Sequence, residues 1–256
     1  MEFLENYPKQ EKLFFLTPEK DQFEKAYLEV REKEGRIYPD EWVTQLPQLP
    51  PNHPQHQEWK LRQWNTDRLL QYFQQFKPRK VLDLGCGNGW LTHQLAAQDA
   101  VEVLGLDVNK LELQQASRLF ASEHCHFAYG DIFVDVFPAQ YFDAIVLDSC
   151  VQYFPDFDQL VNRLLALLQP RGRIHILDSP FYKTQGIAAA RQRTNQYYQN
   201  TSSGAMVHHY FHHTWEDLQP YTYRLQYQPN ALRARLRRKF MGQGSPFPWI
   251  VILPKK

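Results

Sequence analysis

Three glycines at alternate positions, Gly85, Gly87 and Gly89, follow the acidic residue Asp83 within the apolar run Val81–Leu84. Glycines so spaced tolerate positive φ and let a ligand lie directly on the backbone, while the amides that open the next helix carry a partial positive charge. A ligand with an anionic or hydrogen-bonding end belongs on this loop, with Cys86 inside it. Three further acids stand at the ends of later apolar runs. Asp107, eighteen residues past Gly89 and next to Val108, has the type and place to accept both hydroxyls of a ribose; the alternative is a helix cap before Lys110, a role that Asn109 also suits. In Tyr129-Gly130-Asp131-Ile132, Asp131 suits an exocyclic amine of adenine and Ile132 the face of its ring, although Gly-Asp alone would be an ordinary turn. Asp148 closes the run Tyr141–Leu147 and is a candidate proton acceptor, or else a hydrogen-bond partner of the loop that starts there.

These positions make sense only if strands deliver them to one edge. Strand-like runs at Val81–Leu84, Val101–Leu106, Cys125–Tyr129, Tyr141–Leu147 and Arg173–Leu177 alternate with helical spacing from Leu91, over Lys110–Ser122 and over Asp156–Leu168. Pro170-Arg171-Gly172 reads as the turn before the fifth strand. Alternation repeated five times predicts an α/β fold, a doubly wound parallel sheet with helices on both faces. A long helix over residues 54–76 leads into the glycine strand, with Leu61, Leu69, Phe73 and Phe76 available to face the sheet. Residues 1–60 differ from the rest and are rich in proline. Thr17 can cap a helix there, Pro18 suits its first position, Phe23, Tyr27 and Val30 form an apolar stripe, and Gly35 ends it. A short turn after Asp40 would place Trp42 and Leu46 inward. This segment reads either as an appendage packed on the main domain, residues 61–256, or as a lid over its ligand site.

The loop separates two ligand classes. A nicotinamide or flavin site wants Gly-x-Gly-x-x-Gly, and here Trp90 occupies the third glycine's place. Asp-x-Gly-x-Gly-x-Gly instead resembles the first motif of the class I S-adenosylmethionine-dependent methyltransferases, and the resemblance covers about residues 78 to 180 through four motifs in order. It implies a seven-stranded, mostly parallel sheet whose sixth and seventh strands are Thr222–Gln228 and Trp249–Leu253. It implies S-adenosylmethionine as cofactor, held by Asp83, Gly85, Cys86, Gly87, Gly89, Asp107, Val108, Asp131, Ile132 and Asp148. It also implies that residues 179–221 cover a substrate. A sulfonium methyl is already transferable, so holding the acceptor in line, worth ~7–11 kcal/mol in favourable cases, is the chief requirement. A hydroxyl acceptor gains from a base, for which Asp148 and His209 are candidates. His208 with His212, or His209 with His213, would share a helix face and suit a metal, but Thr214-Trp215-Glu216-Asp217 looks like a capped helix start that leaves them in a loop, and no metal is expected. Tyr153, Tyr210, Arg233 and Arg237 are the expected substrate contacts.

A formal net charge of +1 over 256 residues gives no global argument for nucleic acid or membrane. The local exception is Asn230–Met241, a helix capped by Asn230 and closed by Gly242, with Leu232, Leu236 and Phe240 on one side and Arg233, Arg235, Arg237, Arg238 and Lys239 on the other. It reads as a solvated face or as a site for an anionic acceptor, a phosphate backbone or a membrane surface. Three cysteines without metal-type spacing suit a reducing compartment, and Met1–Gln10 lacks the apolar core of a signal peptide, so the cytoplasm is expected. Asp148-Ser149-Cys150-Val151 replaces the Asn/Asp-Pro-Pro-aromatic of nucleobase-nitrogen methylation, and Cys150 does not follow the proline of a cytosine-carbon nucleophile. The expected activity is methyl transfer to a small-molecule acceptor, with an anionic one as the candidate. RNA or protein methylation docked through residues 231–241, and a non-catalytic cofactor-binding scaffold, are the alternatives.

Overall fold

The computed structural model describes residues 1–200, 204–241 and 244–255. After a short N-terminal turn come β1 (Lys9–Gln10), β2 (Leu13–Phe15), α1 (Asp21–Lys33), α2 (Asp40–Val43) and the long α3 (His56–Phe76). The alternating part follows as β3 (Lys80–Leu84), α4 (Trp90–Ala96), β4 (Glu102–Asp107), α5 (Lys110–Phe120), β5 (Cys125–Tyr129), β6 (Phe142–Asp148), α6 (Phe157–Leu167) and β7 (Leu168–Leu177). A segment with β8 (Phe181–Tyr182), α7 (Ile187–Asn200) and β9 (His213–Thr214) precedes β10 (Thr222–Tyr227), α8 (Leu232–Met241) and β11 (Trp249–Leu253).

The main sheet has the order β1-β2-β5-β4-β3-β6-β7-β11-β10. The five alternating strands are parallel to one another, and β11 runs antiparallel between β7 and β10. The chain winds outward from β3 through β5, then returns to β6 on the other side of β3. That reversal opens a crevice at the carboxyl ends of β3 and β6, the place where such sheets bind ligands. Both sheet faces are covered, so the central strands are apolar on both sides. Leu82, Leu104 and Ile145 pack toward α6, while Val81, Val103 and Val146 pack toward α3, α4 and α5.

The sheet has nine strands rather than seven. Residues 1–60 supply the other two: Leu13 and Phe14 are buried, and β2 pairs in parallel with β5. The same pairing moves the start of α1. The Leu16 amide donates to the Tyr129 carbonyl and the Lys20 amide to the Tyr129 hydroxyl, which keeps the chain extended past Thr17 and Pro18 until Asp21. Gly35, at φ +64°, follows the helix end as the spacing predicts. Within the short α2 turn Val43 is buried and Leu46 after it is too, but Trp42 is only half-buried. Pro170-Arg171-Gly172 does not separate α6 from the fifth strand; it lies inside β7 as an irregularity between the pairs Phe142–Leu168 and Ala144–Arg173. Asp156 and Asn109 do cap α6 and α5, accepting from the amides of Gln159 and Glu112.

Two other elements depart from expectation. Thr214 and Asp217 form the expected reciprocal cap, yet the helix behind it is a single 3-10 turn, Glu216–Leu218. In α8, which begins at Leu232 rather than directly after Asn230, the stripe of Leu232, Leu236 and Phe240 faces solvent, and Ala234 is the buried residue. The expected closure at Gly242 lies outside the described residues. Among the described residues, no helix is long and apolar enough to cross a membrane.

Gly89 has φ +77°, and a Cβ there would lie 2.6 Å from Phe127 Cε1 and 2.7 Å from Ala116 Cβ. Gly89→Ala is expected to lose about 2–4 kcal/mol of stability through left-handed strain plus overpacking, read as a lower midpoint in urea unfolding at unchanged slope.

Candidate active site

A cavity of about 850 Å³ opens at the carboxyl edge of the sheet. Its floor is the glycine loop with the strand ends at Asp107, Asp131 and Asp148; its walls include α1, the start of α3, Tyr182 and Tyr210 of the segment before β10, and Ser245–Phe247. Every expected cofactor residue except Gly89 lines it. Gly89 sits beneath, where it lets α4 pack closely on Phe127 and Ala116.

Asp107 organises the floor. Its Oδ2 accepts the Gly87 amide at 2.8 Å, and its Oδ1 accepts the amides of Val108 at 2.7 Å and Asn109 at 2.9 Å. The helix-cap role belongs to Asn109, which leaves Asp107 turned into the cavity with lone pairs to spare. Asp83 is buried, accepts the Thr92 hydroxyl at 2.6 Å and so fixes the glycine strand to α4; burial pushes its carboxyl up to about 7. Asp131 accepts the Phe133 amide at 3.0 Å and pairs with Lys20 Nζ at 3.1 Å, and Ile132 beside it is buried. A glycine cradle, an acid at the second strand end and an acid with an apolar neighbour at the third fit the cofactor that the loop resembles.

Glu112 is a lining residue that sequence reading missed. It accepts Asn109 Nδ2 at 2.9 Å, and burial pushes its carboxyl up to about 7. The signal for it was the Asn-x-x-Glu spacing of a capping box.

The opposite end of the cavity is built on a pair of acids. Asp148 ends β6, and Asp178 stands just past β7; both line the cavity. Asp148 Oδ2 meets Arg62 Nη1 at 3.3 Å, while its buried Oδ1 has no hydrogen-bond partner among the described residues. Burial first, then the charge of Asp178, raises the Asp148 carboxyl against the opposing pull of Arg62. Asp178 Oδ1 accepts from Asn65 Nδ2 and from Ser245 Oγ. Arg62 also reaches Glu58, which takes two bonds from Arg36 at 2.7 and 2.6 Å. Burial works to raise the Glu58 carboxyl, but the Arg36 bonds and neighbouring guanidinium charges prevail and hold it at about 2. Asp178 had a readable signal, an acid at a fifth strand end like those at the earlier ends. Arg62 and Asn65 had none beyond helical spacing, because nothing local tells which turn of α3 overhangs the sheet.

Tyr153 and Tyr210 line the cavity with ring centroids 6.2 Å apart, joined by Phe23 and Tyr27 from α1. Other expected site residues lie elsewhere. His209 is not among the described lining residues; its ring packs edge-on against Phe23. His213 is buried with Nε2 on the Val151 carbonyl at 3.0 Å, and His212 Nε2 lies 3.0 Å from the Thr194 hydroxyl. Arg233 and Arg237 are exposed on α8 and are also not among the lining residues, because the helix docks by Ala234 and turns them to solvent. Among the described residues no three His, Cys, Asp or Glu are grouped as metal ligands.

A family model described as a methyltransferase domain matches residues 76–227, more than half of the chain. The chain belongs to that methyltransferase family. The class I S-adenosylmethionine-dependent assignment drawn from the glycine loop therefore holds, as does the α/β fold. Similar curated proteins include phosphoethanolamine N-methyltransferase 2 of Caenorhabditis elegans, 31% identical over 113 residues, 43% of this chain and 26% of the relative. A ubiquinone biosynthesis O-methyltransferase of Histophilus somni is 36% identical over 124 residues, 44% of this chain and 51% of the relative. The methyltransferase thus spans about a quarter and about half of those two proteins. Among solved structures, YcgJ of Bacillus subtilis matches with a TM-score of 0.54 at 17% identity over 74% of this chain and 99% of that one. The plantazolicin methyltransferase BpumL, solved with SAH, matches with a TM-score of 0.51 at 15% identity over 92% and 99%. These likenesses show the fold.

Asp107→Ala removes the acceptor of three amides that shape the floor. S-adenosylmethionine affinity is expected to fall about 10- to 100-fold by calorimetry, with a smaller effect on the unfolding midpoint. Unchanged affinity would remove Asp107 from the site.

Proposed function

We propose that this methyltransferase modifies a small molecule carrying both an anionic group and a protic acceptor atom, a hydroxyl or an amine. The observation that carries the reading is the single cavity joining the glycine floor to Asp148, Asp178, Tyr153 and Tyr210. S-adenosylmethionine bound on Asp83, the glycine loop, Asp107 and Asp131–Ile132 supplies a methyl group already activated by its sulfonium.

The chain's own residues then have two tasks. The first is to hold the acceptor. Arg31 lines the cavity with a buried Nε that has no hydrogen-bond partner among the described residues, and its carboxylate neighbour Glu34 is 3.9 Å away. Arg36 and Arg62, by contrast, are closely paired with Glu58. Of the three, Arg31 has the longest ion pair, and so the most capacity left for a carboxylate or phosphate of the acceptor. The second task is to take the acceptor's proton, and Asp148 Oδ1, buried and unpartnered, serves it. Asp178 keeps a second charge beside Asp148, and Arg62 orients it. In this reading α1 is a lid, tied to the rim by the ion pairs Lys20–Asp131 and Glu19–Lys110 and by Glu24, which accepts the Leu111 amide. With Arg233 and Arg237 turned away from the cavity, the helix that favoured RNA or protein acceptors adds nothing to the pocket.

The first test is transfer of labelled methyl into lysate separated into small molecules, lipids, RNA and protein. Label in small molecules supports the reading, and label confined to RNA or protein overturns it. With the labelled acceptor, Arg31→Gln should raise KM about 10- to 100-fold with kcat little changed.

Asp148→Asn should lower kcat about 10²- to 10⁴-fold. Because the ionised carboxylate is the active form, the rate should rise with pH as Asp148 loses its proton. Asp178→Asn removes a like charge, while Arg62 and Asp83 stay in place, so the acid limb of the pH–rate profile should move to lower pH. An unmoved limb would show that Asp148 is not the titrating group.

A further inference from the structure

From Leu218 to Lys256 the chain holds no aspartate or glutamate, and its cations concentrate in α8. Leu232, Leu236 and Phe240 recur every four residues on that helix and are 69%, 45% and 74% exposed. At roughly 100° per residue, Arg233 and Arg237 lie along one flank of this stripe and Arg235 and Lys239 along the other. All four are exposed. The opposite side holds the helix to the protein: Ala234 is buried, and Arg238 Nη1 donates to the Ser245 carbonyl at 2.9 Å. The solvent side of α8 is therefore an apolar stripe bordered by cations on both edges.

We propose that α8 docks this methyltransferase on an anionic lipid surface. The stripe would enter the boundary between headgroups and acyl chains while the flanking cations reach lipid phosphates, the division of labour of an in-plane amphipathic helix. Charge selects this occupant. A second copy would bring the same cations against these, and an RNA backbone would match the cations but leave two leucines and a phenylalanine facing water. The dock would stand beside the cavity, since Ser245, Pro246 and Phe247, which line it, follow α8 closely in the chain. This inference does not depend on which acceptor is methylated.

The test is co-sedimentation of the full chain with vesicles of phosphatidylcholine alone and of phosphatidylcholine with roughly one-third phosphatidylglycerol. Partition onto the anionic vesicles is expected. Replacing Arg233, Arg235, Arg237 and Lys239 together by Gln should weaken it by about two orders of magnitude. Replacing Leu232, Leu236 and Phe240 together by Ser should weaken it about tenfold or more and make what remains vanish in high salt, because apolar insertion is not screened and phosphate pairing is. The substituted side chains are exposed, and circular dichroism together with S-adenosylmethionine affinity checks that both variants fold. Absence of partition onto anionic vesicles overturns the proposal, as does binding that neither set of substitutions weakens. A sedimentation mass above the monomer that the serine variant alone abolishes would give the stripe to a second copy instead.

Discussion

The Asp107 carboxylate joins two loops that the chain makes independently. One is the glycine loop after β3, whose positive φ values turn its amides toward the cavity; the other is the turn after β4. Because Asp107 accepts amides from both, the loops have fixed relative positions before any ligand arrives. This depends in turn on register. Asp83 pairs with Gly105 and Leu84 with Leu106 across β3 and β4, so a slip of one residue would send both acids to the wrong face. The burial of Val81, Leu82, Val103 and Leu104 on the two sides of the sheet forbids that slip. Core packing far from the cavity thus sets the geometry of its floor.

The roof is attached by charge rather than by packing alone. Arg36 and Arg62 share Glu58, and Arg62 continues to Asp148, so a chain of ion pairs runs from the end of α1 through α3 to the end of β6. Lys20–Asp131 makes a second link at the third strand end. The Arg36–Glu58 and Arg62–Asp148 pairs are partly buried and costly to break singly, because the partner left behind remains desolvated. A small apolar cluster of Ala26, Val30, Tyr198 and Met206 ties α1 to the segment between β7 and β10, so two covering elements that are remote in sequence share one surface.

The floor was legible because each of its residues is announced twice, by type and by a place at the end of an apolar run. Asp83, Asp107, Asp131 and Asp148 were found in that way, and so were the parallel strands that carry them. The roof was not legible, since Arg31, Arg62 and Asn65 acquire meaning only when α1 and α3 are laid across the sheet. β1 and β2 were missed because two or three residues are too short for alternation to register. For α8 the spacing fixed which residues share a face but not where that face points. Leu232, Leu236 and Phe240 face solvent because the smaller Ala234 on the other side allows the closer approach to the protein.

Two residues at the candidate acceptor end bear backbone strain, and its location is informative. Ser149 and Asp178 both have left-handed φ, +55° and +45°, at the ends of the adjacent strands β6 and β7. For residues other than glycine this costs ~1–2 kcal/mol each. Parallel strands that end in register, with Asp148 opposite Leu177, would ordinarily carry their chains away side by side. The left-handed turns fold both back instead, and the Ser149 amide then donates to the Leu177 carbonyl at 3.1 Å and the Ser149 hydroxyl to the Asp178 carbonyl at 3.2 Å. Those bonds close the turns, and the closed turns hold two half-buried carboxyl groups near each other against their repulsion. Strain and electrostatic cost fall at the same few residues, and stability alone would select against both; their joint presence beside a cavity supports the proton-accepting role proposed for Asp148.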